Sequence, residues 1–207
     1  MIIEQIYTKC LAQGAYYIES DGEAALIDPL REPTPYIERA KKNKAKIKYI
    51  FETHIHADFV SGHLDLAKKT AATIVFGPNA NTHYDCYNAL DGETFKVGSL
   101  TLKVMHTPGH TLESVSYLLI DAAGKNHALF SGDTLFLGDV GIPDVAQQYK
   151  DLSKEKLAEM LFESLRSKIM PLEDNIILYP AHGAGSDCGK NMSKETIGTL
   201  GDQKSSN

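Results

Sequence analysis

The feature that most restricts this chain is the run Thr53-His54-Ile55-His56-Ala57-Asp58-Phe59, which follows the short apolar segment Tyr49-Ile50-Phe51. Two imidazoles and a carboxylate stand at i, i+2 and i+4, and they converge on one point only if the chain curls as it leaves the strand. Three more segments repeat the pattern of a strand that ends in a ligand-type residue: Thr107-Pro108-Gly109-His110-Thr111, Phe130-Ser131-Gly132-Asp133 and Tyr179-Pro180-Ala181-His182-Gly183. Pro108 and Gly109 set a tight turn that re-aims the backbone just before His110. One His or Asp after a strand is more often structural than functional. Four such ends in one chain, all carrying metal-ligand chemistry, predict a metal site assembled from strand termini.

The rest of the sequence limits what surrounds that site. With 207 residues, 43% of them hydrophobic, one sizeable α/β core can be buried. A net charge of −6 and a pI near 5.7 argue against nucleic acid and against an anionic membrane surface as partners. The basic residues of segment 31–48 alternate with Glu38 and apolar residues, as on a solvated helix face. The opening MIIEQIYTKCLAQG has no basic region ahead of an apolar stretch, so it does not read as a secretory signal, and no run approaches the ~20 apolar residues of a membrane span. Cys10, Cys86 and Cys188 are far apart and odd in number, which suits a reducing compartment and predicts a cytoplasmic protein. Cys188 lies on a Gly-flanked tail with no base adjacent in sequence.

Hydrophobic patterning places strands over Ile2–Tyr7, Ala15–Ile18, Ala24–Asp28, Tyr49–Phe51 and Thr73–Phe76. A hairpin is predicted from Phe95–Val97 to Leu100–Val104 around Gly98-Ser99, then strands over Val115–Ile120, Ala128–Phe130 and Ile176–Tyr179. Helices are expected over Pro35–Lys44, Leu64–Lys69 and Lys154–Lys168, the last with Ser153 as N-cap and Leu157, Leu161 and Leu165 repeating at four. Residues 1–185 form one domain in this reading, and 186–207 are a polar tail without a strong period.

HxHxD, TPGH, SGD and PAHG, with His54, His110, Asp133 and His182 successively 56, 23 and 49 residues apart, resemble the metallo-β-lactamase superfamily across nearly the whole chain. The resemblance implies an αββα sandwich, an α/β fold with the metal at the edge between two sheets. His54, His56 and His110 match the first-site positions, Asp133 the shared carboxylate, and Asp58 and His182 the second-site positions. Two-zinc members usually read HxHxDH, and Phe59 stands where the last His would be, so a second ion loses a ligand. LAQGAYYIE, THIHADFVSGH, TPGHTLESVSYLL and YPAHGAGSDCGKNMSKET resemble the bacterial persulfide dioxygenases that carry a rhodanese domain after this one. That resemblance implies one Fe(II) per chain, with Zn(II) as the competing ion, on a facial triad of His54, His110 and Asp133. His56, Asp58 and His182 would orient ligands and a bound water, and Tyr179 would hydrogen-bond a thiol substrate. The implied reaction takes a low-molecular-weight thiol persulfide and O2 to sulfite and thiol. The alternatives are a zinc-dependent thioester hydrolase like glyoxalase II, and a metal-binding domain active only with a rhodanese-type sulfurtransferase. A homo-oligomer is compatible with all three.

Overall fold

The computed structural model of the chain describes residues 1–143 and 152–207. Two six-stranded sheets carry the architecture. The first runs in the order β1 (Ile2–Thr8), β2 (Gln13–Ser20), β3 (Glu23–Ile27), β4 (Lys46–Phe51), β5 (Thr73–Phe76) and β6 (Tyr87–Asn88). The second runs β12 (Gly198–Thr199), β11 (Ile177–Pro180), β10 (Asn126–Gly132), β9 (Val115–Ile120), β8 (Leu100–His106) and β7 (Thr94–Val97). Helical crossovers serve two of the parallel pairs of the first sheet: α1 (Thr34–Lys42) connects β3 and β4, and α2 (His63–Thr70) connects β4 and β5. The remaining helices are α3 (Lys154–Ser164), extended by a π-helical turn over Leu165–Ile169, and α4 (Leu200–Ser206).

Burial explains the layering. Ile18, Ile27, Phe51 and Val75 of the first sheet meet Leu102, Val104, Tyr117 and Phe130 of the second in the intersheet core. The opposite face of the first sheet buries Tyr17, Leu26 and Ile50 against Tyr36 and Ala40 of α1 and Leu66 of α2. The outer face of the second sheet buries Leu118, Leu129 and Leu178 beside Ile169 and Leu200. Every residue of β2 is buried because both faces of that strand are covered. This is the αββα metallo-β-lactamase sandwich expected from the motifs. Truncating a fully enclosed ring such as Phe51 to Ala would cost about 3–5 kcal/mol.

The sequence-predicted elements fall within a few residues of the observed ones, and Ser153 does cap α3, accepting from the Lys156 amide. Two expectations change. The predicted helix 154–168 leaves α geometry at Leu165, where the π turn takes over. The tail carries structure that its polarity concealed: β12 pairs with β11, and α4 buries Leu200 and Gln203. Leu200 is one apolar anchor in a polar segment, too little for a sequence period to register. No helix among the described residues is long and apolar enough to cross a membrane.

Candidate metal centre

All four predicted strand ends meet at one edge of the sandwich. His54 follows β4, His110 lies in the loop between β8 and β9, Asp133 ends β10 and His182 follows β11. Bringing them together needs backbones that approach unusually closely. Gly132 has φ +56°, and a Cβ there would sit 2.7 Å from that of Thr53, so the residue that aims Asp133 must be glycine. Gly141 passes close enough that a Cβ would stand 1.9 Å from the Asp133 carbonyl oxygen.

His54, His110 and Asp133 are buried, and their ligand atoms lie within 4.8 Å of one another. Each imidazole is oriented through its Nδ1. Thr53 Oγ1 lies 3.0 Å from His54 Nδ1, and the Ile142 carbonyl is 2.8 Å from His110 Nδ1. The free Nε2 atoms both face Asp133 Oδ2, at 3.9 Å from His54 and 3.4 Å from His110. Asp133 Oδ1 accepts from His182 Nδ1 at 2.9 Å, whereas Oδ2 is buried without a hydrogen-bond partner. A buried unpaired carboxylate oxygen costs stability unless something completes it. Two ligand atoms each about 2.0–2.2 Å from one cation stand roughly 3–3.5 Å apart, so the spacing and the donor set fit a divalent ion.

Charge supports the same arrangement. Burial would raise the Asp133 carboxyl, but His182, then His54 and His110, reverse this and hold it far below the usual carboxylate range. Burial, with His56 and the other imidazoles nearby, pushes His54 well below its ordinary value, which keeps its Nε2 lone pair available. His182 is raised despite burial, because Asp133 and Asp58 flank it.

His56 packs against His54 with ring centroids 4.2 Å apart. Its Nε2 lies 3.0 Å from Asp28 Oδ1 and 3.5 Å from Glu52 Oε2, and its buried Nδ1 has no partner. The two carboxylates overcome the effect of burial and push this imidazole up to about 10. A ring nitrogen held by a carboxylate while the other stays free is the arrangement of a ligand-oriented histidine.

On the far side, Asp58, His182 and Cys188 form a second group with ligand atoms within 4.8 Å of one another. Asp58 Oδ2 lies 2.8 Å from His182 Nε2. The fold therefore brings His182, six positions earlier in sequence, beside Cys188. Phe59, in the position of the family's further histidine, packs at a tilt on His56 with ring centroids 4.3 Å apart.

Tyr179 lies apart from the ligand cluster's imidazoles, in a packed aromatic group. Its ring stacks on Phe130 at 5.1 Å and meets Tyr16 edge-on within the intersheet core, so it serves packing between the sheets. Asp28 is the residue that sequence reading missed. It adopts φ +48°, outside the usual range for aspartate, and accepts from the Thr53 amide at 2.7 Å, from Thr53 Oγ1 at 2.8 Å and from His56. Its signal was a carboxylate ending an apolar strand, the same signal that exposed Asp133.

A profile of the Metallo-beta-lactamase superfamily matches residues 9–84. The chain belongs to that superfamily. It is 30% identical over 181 residues to a cytoplasmic hydroxyacylglutathione hydrolase of Arabidopsis thaliana, covering 85% of this chain and 66% of that protein. The crystal structure of a metallo-beta-lactamase from Staphylococcus aureus superposes with a TM-score of 0.90 at 38% identity, over 100% of this chain and 62% of that one. ETHE1 from Myxococcus xanthus superposes with a TM-score of 0.80 at 26% identity, over 100% of this chain and 83% of that one. The chain thus spans somewhat less than two thirds of two of these relatives.

Proposed function

We propose that this metal-dependent enzyme acts on the sulfur end of a small thiol derivative, and that the reaction is oxidation of a persulfide by O2. The observation that carries this reading is Phe59. A phenyl ring where two-zinc relatives place a ligand removes a donor beside the outer group of Asp58, His182 and Cys188, leaves His54, His110 and Asp133 as the enclosed set, and disfavours a pair of ions. A ferrous ion held there would supply the oxygen chemistry, leaving coordination positions open for substrate. The balanced reaction is R–S–SH + O2 + H2O → R–SH + SO3²⁻ + 2 H⁺: the outer sulfur is oxidised, O2 is reduced, and the S–S bond breaks with the thiol leaving. The chain's own residues orient the ligands through Thr53, the Ile142 carbonyl, Asp28 and His182. Asp58, exposed beside His182, is the carboxylate placed to move a proton at the open side.

Zinc-dependent hydrolysis of a glutathione thioester is the second reading, and the names of the sequence relatives favour it more directly than the first. In that chemistry Asp58 and a metal-activated water would do the work.

One experiment separates the two. Protein loaded without oxygen with Fe(II) or Zn(II) is assayed for O2 uptake with glutathione persulfide and for S-lactoylglutathione hydrolysis. Oxygen uptake matched by sulfite in the iron form alone is the expected result. Thioester hydrolysis by a form holding two zinc ions, without oxygen uptake by the iron form, would replace the first reading with the second. Adding a rhodanese-type sulfurtransferase tests whether turnover needs that partner.

A further inference from the structure

A cavity of about 280 Å³ opens beside the metal cluster, between the loop after β4 and the start of α2. Its wall begins at His54 and His56 and continues through Phe59, Leu64, Phe76 and Tyr84. Around its rim, Ile55, Val60 and Leu64 are 43, 63 and 48% exposed. Three large aliphatic side chains left open around one cavity mark a binding surface rather than scattered surface residues. The substitution that deprives the second ion of a ligand also builds this cavity, because Phe59 supplies an aromatic wall packed on His56. His63 is a wall element too: its ring packs against Tyr84 at 5.1 Å and edge-on to Phe76 at 5.9 Å.

The floor carries negative charge. Glu52 is buried there, accepting from the Ser61 hydroxyl at 2.6 Å, with His63 Nδ1 at 3.3 Å, and Asp28 stands behind it on His56. Among the described residues that line the cavity there is no Lys or Arg. A carboxylate placed inside would lose its hydration beside the buried Glu52 and Asp28, with the His56 imidazole already paired to both. An alkyl chain would exchange water for the apolar wall. The volume falls just below the roughly 300–1,000 Å³ of sites that enclose drug-sized ligands, so the occupant is short.

We propose that this cavity binds the non-reacting tail of the thiol-derived substrate and selects a short, uncharged, apolar tail over one bearing a carboxylate. The proposal rests on the thiol-derivative reading above and adds a substrate class to it.

The test uses unreactive probes on zinc-loaded protein under nitrogen, so binding is read without turnover. Ethanethiol, 1-propanethiol, 1-butanethiol and 1-pentanethiol share the same sulfur contact with the metal, and that contribution cancels along the series. Titrations followed by NMR should show affinity rising about fourfold per added methylene until the cavity is filled. 3-Mercaptopropionate should bind at least about tenfold more weakly than 1-propanethiol. Leu64→Lys, at an exposed rim position, should narrow that preference, and Phe59→Ala should flatten the methylene increments while zinc content stays unchanged. Increments that are flat in the wild type, or 3-mercaptopropionate binding as tightly as 1-propanethiol, would overturn the proposal even if persulfide oxidation is observed. Increments present in a protein that consumes no oxygen with any persulfide would leave the cavity assignment standing and remove the dioxygenase reading.

Discussion

The two halves of the metal centre are built on opposite principles. In the inner half, His54, His110 and Asp133 are enclosed, each imidazole is fixed through Nδ1, and the carboxylate oxygen between them is left unpaired. In the outer half, Asp58 is exposed and Asp58 and His182 pair with each other at 2.8 Å, while Phe59 takes the place of a further donor. The inner half needs a cation to complete its electrostatics. In the outer half Asp58 and His182 form an ion pair and Phe59 offers no donor, so metal affinity should concentrate on the inner side.

The largest effect should come from breaking the inner half. His110→Ala or Asp133→Ala should lose the ion altogether, read by elemental analysis after dialysis. Retention of a full equivalent by both variants would place the site elsewhere.

Asp58→Asn should keep the ion and slow turnover by about 10–100-fold, the usual range for a group that acts through its neighbours. Metal loss as complete as that of Asp133→Ala would make the two halves equivalent.

Ile142 bears on both halves through its backbone, which accepts from His110 and donates to the Cys188 carbonyl. Its side chain is half-buried and offers no charge. Ile142→Arg should lower KM for glutathione persulfide by about tenfold, through a charge-assisted contact to a substrate carboxylate, and leave an uncharged alkyl persulfide unaffected. Steady-state oxygen uptake with both substrates is the measurement. No change for glutathione persulfide would mean that another residue grips its carboxylates.

Phe59→His should restore a donor beside Asp58 and His182, moving zinc uptake from about one towards two per chain. A variant that stays mononuclear at saturating zinc would show that the ion pair, rather than the missing ligand, closes the outer half.

The smallest effect concerns the tail that carries Cys188 to the outer half. Asp139 accepts from the Lys190 and Asn191 amides at 2.6 and 2.7 Å. Burial would raise this carboxyl, but the backbone donors of Asn191, Val140 and Lys190 outweigh burial and lower it. A group whose folded value lies below its unfolded one stabilises above the unfolded value, near 3.9, and loses that contribution as pH falls through the folded one. The Lys190 and Asn191 amides should therefore lose exchange protection below about pH 4, ahead of the core strands, and Asp139→Asn should lose it at neutral pH.

Much of this was legible without coordinates, for identifiable reasons. Strands such as Val115–Ile120 have a continuous apolar pattern that the fold reproduces residue for residue. His54, His110, Asp133 and His182 were found because ligand-type residues at strand ends are rare as core filler. Asp28 carries the same signal, but in sequence it looks like an ordinary strand terminus, and only its left-handed backbone and three acceptor contacts reveal its work. The position of Tyr179 beside Pro180 says nothing in sequence about which way the ring points. Strand pleat turns it into the intersheet core.

By itself the sequence determined where most strands lie, through local periodicity, while the sandwich and the candidate ligands followed from motifs that resemble the superfamily. Only the tertiary structure decided how those ligands are used. The His182–Asp58 pair and the orphaned oxygen of Asp133, set among His54, His110 and His182, depend on contacts between segments dozens of residues apart. Such contacts are fixed by how two sheets pack, and no local pattern encodes the angle at which they meet.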